Sequence, residues 1–262
     1  MCVSPFRKKV EVKDAFGRKE IKFFDFPCGK CSQCRKVYQS EWTTRLMFEA
    51  DLHKYTNFVT LTYDNENIPL IDDCIFTLSK RDVQLFFKRL RKRFSLRYYL
   101  LAEYGTHTYR PHYHFIMFTN VNIDVDDLQS VWQQGIVHVG SLTVGRIAYC
   151  AKFHLVADIY PPGAQKPFVL MSRKPGIGSA YGLKSDFQKW VQDDISRGFT
   201  YVNGQKRFLP KYTKKQVLTI DQRIANYELF KKNKDNEKFK NFHAIEKKNM
   251  ESIRRRSKAN QL

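Results

Sequence analysis

The sequence predicts an α+β domain built on a mainly antiparallel central sheet, and three observations lead there. β-Branched and aromatic runs at 57–63 (NFVTLTY), 97–104 (RYYLLAEY) and 111–118 (PHYHFIMF) stop at polar, turn-rich segments. A segment at 79–94 carries apolar residues at helical spacing. The strands are joined both by a short polar loop, 105–110, and by helices, which suits an antiparallel sheet with helices flanking it. The chain has 262 residues, 42% hydrophobic and 15% aromatic, enough for one core and too rich for a disordered chain. No apolar run reaches the roughly 18 residues of a membrane span, and MCVSPFRKKV lacks the apolar stretch of a signal peptide, so an intracellular protein without a membrane partner is expected. With 46 Lys+Arg against 26 Asp+Glu the net charge is +20, which favours a polyanionic partner, nucleic acid first.

Taken in chain order, the first signal is cysteine. In a reducing compartment six cysteines read as metal ligands or buried thiols before disulfides. Cys28, Cys31 and Cys34 form C-x2-C-x2-C and can ligate one structural Zn²⁺. Cys2 is the best fourth ligand and His53 the runner-up; unligated thiols are the alternative. A helix is expected over 35–53. The strand at 57–63 follows and ends in DNENIP. Ser79 is placed to cap the next helix, with Asp82 three residues on, close to a capping box. Val83, Phe86, Phe87, Leu90 and Phe94 form its buried stripe. Lys88, Arg89, Arg91, Lys92 and Arg93 crowd the other face and, with Arg110, are the expected DNA-binding cations. Further helices are expected at 124–134 and 145–156, with a weaker strand at 136–142. From 211 to 262 there are 15 Lys+Arg against 6 Asp+Glu, which reads as a basic helical tail. The expected division is a Cys-rich arm with the first helix (1–56), a core (57–210) and the tail (211–262).

The chemistry is concentrated around the hairpin. His112 and His114 alternate with Tyr113 and emerge from one face of their strand. If the loop 105–110 closes an antiparallel hairpin, paired residue numbers sum to 215, and Glu103 lies opposite His112. Two imidazoles and a carboxylate on one face suit a divalent ion such as Mg²⁺ or Mn²⁺, with positions left open for substrate oxygens. Downstream, Tyr149 and Lys152 share a helix face. A tyrosine hydroxyl is a weak nucleophile and needs a nearby cation, the role open to Lys152.

FVTLTYD, then Glu103 with HYH, then a helical Y-x2-K resemble the three motifs of the HUH endonuclease superfamily. Cys2, PCGKCSQCR, FVTLTYDNENIP, the AEYG…RPHYH block and PFVLMSRKPGIG are similar to the replication initiators of the small single-stranded DNA microviruses, the gokushovirus branch in particular, over some two-thirds of the chain. The resemblance implies a palm-like sheet, Glu103, His112 and His114 as metal ligands, and Tyr149 as the nucleophile with Lys152 beside it. It implies a 5′-phosphotyrosine link to the protein and a free 3′-OH for rolling-circle replication, then strand rejoining. The implied partners are single-stranded DNA or the viral replicative-form origin and the host helicase and polymerase, in the cytoplasm of a bacterial host. Phe153 departs from the pattern, since these initiators often carry a second tyrosine four residues after the first; Tyr160 is one replacement to consider. A non-catalytic, zinc-stabilised DNA-binding protein is the alternative reading, and a phosphodiesterase using water in place of Tyr149 a third.

Overall fold

The computed structural model describes residues 2–13, 17–153 and 160–232. They divide into two compact units, one reaching to Tyr38 and the other running from Gln39. In the first unit, β1 (Phe6–Lys13) and β2 (Lys19–Phe26) pair as an antiparallel hairpin that the sequence reading did not foresee. The hairpin leads into the cysteine segment and the start of α1 (Ser32–Ala50).

The second unit is built on a five-stranded sheet ordered β8-β3-β7-β6-β9, with every neighbouring pair antiparallel. Its strands are β3 (Tyr55–Tyr63), β6 (Leu96–Tyr104), β7 (Pro111–Thr119), β8 (Gly135–Ser141) and β9 (Phe168–Met171). Between β3 and β6 lie the two-residue strands β4 (Leu70–Ile71) and β5 (Ile75–Phe76), then α2 (Lys80–Arg93). Helix α3 (Val125–Val131) precedes β8 and α4 (Val144–Cys150) follows it. After β9 come a 3₁₀ turn at Ala180–Leu183, α5 (Ser185–Asp193), the hairpin β10 (Phe199–Val202)–β11 (Gln205–Phe208), α6 (Lys211–Val217) and α7 (Ile220–Lys232). The α+β class and the antiparallel sheet are as expected.

Each face of the sheet carries its own core. On one face Val59, Leu61, Leu100, Tyr113 and Phe115 pack with Val83, Phe86, Phe87 and Leu90 of α2 and with Trp132. On the other, Phe58, Tyr99, Ile116 and Phe118 pack with α1 (Leu46, Met47, Phe48), α4 (Ile147, Cys150) and α5 (Phe187, Val191). Cover on both faces explains why β6 is buried almost throughout and why its sequence shows no alternation. Helix α1 is already part of this core at Trp42, and the start of the expected tail packs there too through Val217 and Leu218. The rest of that tail, 233–262, and residues 154–156 of the expected fourth helix lie outside the described residues.

Helix α2 begins as its sequence predicts, with the Ser79 side chain accepting from the Asp82 backbone N–H at 3.2 Å. The return half of the box is taken over by tyrosines. The Ser79 N–H donates to the Tyr113 hydroxyl at 2.8 Å, while the Asp82 carboxylate accepts from the Tyr63 hydroxyl at 2.8 Å.

The segment SRKPGIG, without evident chemistry as a sequence, is a clamp. Glu49 of α1 is 2% exposed, accepts from the Arg97 guanidinium, and accepts the Gly178 N–H at 2.6 Å. Arg97 also donates to the Pro175 carbonyl at 2.8 Å, and Arg45 donates to the Ile177 carbonyl at 3.0 Å. Gly178 sits at φ +72°, where a Cβ would lie 2.7 Å from the Arg45 carbonyl oxygen, so no other residue fits without strain. Removing Glu49 leaves a half-buried guanidinium and a buried N–H unpaired. Glu49→Ala is therefore expected to lower stability by about 3 kcal/mol or more, read as a shifted urea midpoint with unchanged m-value.

Candidate active site

Register makes the site. In the β6–β7 ladder Glu103 pairs with His112, as the predicted sum of 215 requires. On the far side of β7, His112 lies opposite Thr62 and His114 opposite Thr60 of β3. Thr60 Oγ1 and His114 Nδ1 are hydrogen-bonded at 2.9 Å, which fixes the ring and turns its Nε2 towards Glu103 Oε1, 3.5 Å away. The His112 and His114 ring centroids are 6.2 Å apart, and His112 Nδ1 is buried without a hydrogen-bond partner. Burial draws the His114 pKa down to about 4, helped by the charges of His112 and Lys152. His112 is lowered as well, by burial first and then by Arg110. Both imidazoles are thus neutral at pH 7.

These observations fit a divalent metal. An unpartnered buried nitrogen is costly, neutral imidazoles are the ligating form, and the Thr60 contact to His114 is the kind of outer partner that orients a metal ligand.

Helix α4 brings up the nucleophile candidate. Thr143 caps it by accepting from the Arg146 N–H at 3.2 Å, Ile147 and Cys150 are buried, and Gln39 of α1 donates to the Ala148 carbonyl at 2.9 Å. Tyr149 is left facing the metal-ligand candidates, its hydroxyl donating to Glu103 Oε1 and its ring 5.3 Å from that of His114. The helix ends at Cys150, short of the expected 156, so Lys152 stands in the following turn. Its Nζ lies 3.4 Å from the Tyr149 ring centroid and 3.7 Å from Glu103 Oε2. Burial and the Glu103 charge together push the Tyr149 hydroxyl well above its ordinary pKa. Burial lowers Lys152, against the opposing pull of Glu103.

The structure thus brings Glu103, His112, His114, Tyr149 and Lys152 into one site. Arg110 stands at its edge, donating to the Tyr63 carbonyl at 3.0 Å and to Asn65 at 2.9 Å. The five cations of α2 are elsewhere, because α2 packs on the opposite face of the sheet. Tyr160 packs against that same opposite core and does not replace the tyrosine absent at Phe153. Of the aromatics considered for base stacking, Phe86, Phe87, Tyr98 and Tyr99 are buried and Tyr109 is exposed. The sequence reading missed Thr60 and Arg146. Arg146 lies 5.3 Å over Phe58 in the space that Gly140 leaves open. Their signal was the pairing of β3 with β7 and β8, which no short loop announces.

The cysteines form a second centre, in the first unit. The ligand atoms of Cys2, Cys28, Cys31 and Cys34 lie within 4.8 Å of one another, a set that could hold a metal ion, with Cys2 rather than His53 as fourth member. The Cys28 sulfur accepts the Cys31 N–H at 3.3 Å, and the Cys2 sulfur accepts the Cys28 N–H at 3.1 Å. Backbone N–H groups of Cys31 and Lys30 bring the Cys28 pKa down to about 6, whereas burial pushes Cys34 up to about 12.

Residues 56–155, which include all five site residues, match the family of the replication-associated protein ORF2. Replication-associated protein VP4 of Bdellovibrio phage phiMH2K is 28% identical over 74% of this chain and 68% of its own length. Replication-associated protein ORF2 of Spiroplasma virus 4 is 29% identical over 71% and 65%, and replication-associated protein ORF4 of Chlamydia phage 1 is 28% identical over 77% and 56%. The chain is a relative of phage replication-associated proteins. The microvirus-like resemblance carried by the motifs is thereby supported. The chain spans between about half and two-thirds of these relatives' lengths. No solved structure matches it. Among the described residues no helix is long and apolar enough to cross a membrane.

Two predictions belong to these centres. Between pH 4 and 6.5 an unfolded chain protonates His114 while the fold keeps it neutral, so stability of the metal-free protein rises with pH through that window and levels off above it. The His114 contribution is about 3 kcal/mol, and His114→Gln should remove it from a pH series of urea unfolding. At the cysteines, elemental analysis after purification in Zn²⁺ should find one tightly held ion per chain, lost in Cys2→Ser and in Cys34→Ser.

Proposed function

We propose that this protein initiates rolling-circle replication of a phage genome by nicking single-stranded DNA through Tyr149 and later rejoining the strand. The observation that carries the reading is convergence. A tyrosine hydroxyl, a lysine ammonium and a two-histidine, one-carboxylate set meet on one sheet face, in a chain related to phage replication-associated proteins. A DNA-binding protein without catalysis would need the charge and the cysteines and would leave these five residues unexplained.

In this reading Tyr149 Oη attacks the phosphorus, the bond from phosphorus to the 3′-oxygen breaks, and that oxygen takes a proton and departs as a 3′-OH. The 5′-phosphate stays on Tyr149. Attack by a 3′-OH on the phosphotyrosine reverses the step and rejoins the strand. Glu103, His112 and His114 would hold a divalent cation such as Mg²⁺ or Mn²⁺, which when bound draws charge from the phosphate oxygens. Lys152 neutralises charge on the phosphate and on Tyr149 as its proton leaves. The partly exposed Tyr149 ring gives the DNA backbone access, while Ile147 and Cys150 hold its helix still.

Labelled single strands covering the genome, incubated with Mn²⁺ and run on denaturing gels, test this. Wild type should give label at protein mass, abolished by EDTA and absent in Tyr149→Phe. His112→Ala and His114→Ala should each lower cleavage by roughly 100-fold while sparing most DNA affinity, which rests on cationic residues. Cleaved DNA without adduct would replace Tyr149 by water as the nucleophile.

A further inference from the structure

Helix α2 raises a question that the site does not answer. It is densely cationic, with Asp82 its only acidic residue, and that carboxylate is engaged by the Tyr63 hydroxyl. Its buried stripe packs against Val59, Leu61, Tyr113 and Phe115, which alternate with the residues facing His112 and His114. The whole sheet therefore separates α2 from Tyr149. Since a helix is about 10 Å across, its outer cations stand well beyond reach of a phosphate at Tyr149.

These cations are not evenly solvated. Lys88, Arg91 and Lys92 surround a shallow concavity with Gln84, floored by Phe87 and Tyr98. The two rings stack with centroids 3.5 Å apart. Arg91 lies 4.9 Å over Tyr98 and donates to Ser172 Oγ at 3.2 Å, so one cation is held in place. Ser172 is anchored in turn, since its Oγ accepts the Tyr98 N–H at 3.1 Å. Arg93 is not part of the set, being paired with Asp127 and Ser130. The neighbouring Arg173 and Lys174 are exposed. The aromatic floor is only 2% and 8% exposed, too covered for bases to stack on it. Fixed charge without a stacking surface suits a backbone whose bases are turned inward, which is a duplex rather than a single strand.

We propose that Lys88, Arg91 and Lys92 form a second DNA site, which grips the phosphate backbone of duplex DNA on the face of the sheet opposite Tyr149, so that one chain holds a single strand and a duplex together. The inference rests on the reading of the protein as a DNA-nicking enzyme. It places the duplex beside the nick on the far side of the sheet.

The test saturates the full-length protein with an unlabelled short single strand and then titrates a fluorescent duplex of about 20 base pairs. A ternary complex is expected, with duplex affinity falling steeply with salt. In Lys88→Glu/Arg91→Glu/Lys92→Glu the salt slope for the duplex should flatten by about 2.7, at about 0.9 per lost phosphate contact, with the short strand still bound. Because Arg91 also touches Ser172, Lys88→Gln/Lys92→Gln provides a milder pair, expected to flatten the slope by about 1.8. Displacement of the duplex by the short strand, or wild-type slopes in both variants, would overturn the second site. A ternary complex from a protein that never forms an adduct would sink the nicking proposal and leave the second site standing.

Discussion

The pairing of β6 with β7 decides where every reactive group stands. With Glu103 opposite His112, the carboxylate and both imidazoles rise from the same face, and α4 has a fixed target for Tyr149. A slip of one residue would turn His112 and His114 into the core that holds Tyr113 and Phe115, and bring those aromatics into the site. The register cannot slip at low cost because both faces are covered. The Tyr63 and Tyr113 hydroxyls, 3.0 Å apart, tie two strands to the start of α2 from behind.

What the sequence made legible follows from range. The hairpin register needs only a short loop and a period of two, so the Glu103–His112 pairing could be computed from residue numbers alone. Helix α2 was legible because its stripe, cap and charge agree. The contact of Thr60 with His114 was not, since β3 and β7 are separated by more than 40 residues and nothing local sets their register. Strand β9 was hidden for another reason. Four consecutive apolar residues carry no period, and the Glu49 clamp that seats the following segment brings together residues from three distant stretches. The placing of α2 behind the sheet was illegible in the same way: an amphipathic pattern says that a face is buried, not against which side.

The two faces divide the labour of the fold. The face behind the site is packed with aromatics and covered by α2, and its polar groups satisfy one another. The site face is incomplete by comparison, leaving Tyr149 partly exposed and His112 Nδ1 without a partner. Unsatisfied buried groups of this kind persist where they serve chemistry rather than stability. The clamp at Glu49, on the same face, holds α1 and with it Gln39, whose side chain fixes α4 beneath Tyr149.

The shared carboxylate has a further consequence for reactivity. Glu103 accepts the Tyr149 proton's hydrogen bond, and its charge, with burial, raises the hydroxyl's pKa. The nearest negative group therefore opposes formation of the phenolate that attack requires. Lys152 offsets this only in part, because burial works against its own charge. In the proposed reading, positive charge has to arrive at Glu103 before Tyr149 can ionise, so a cation at Glu103, His112 and His114 would act on the nucleophile as well as on the phosphate. A site wired in this way stays unreactive towards DNA until the cation is bound, because the residue that would help hold the cation also restrains the attacking oxygen.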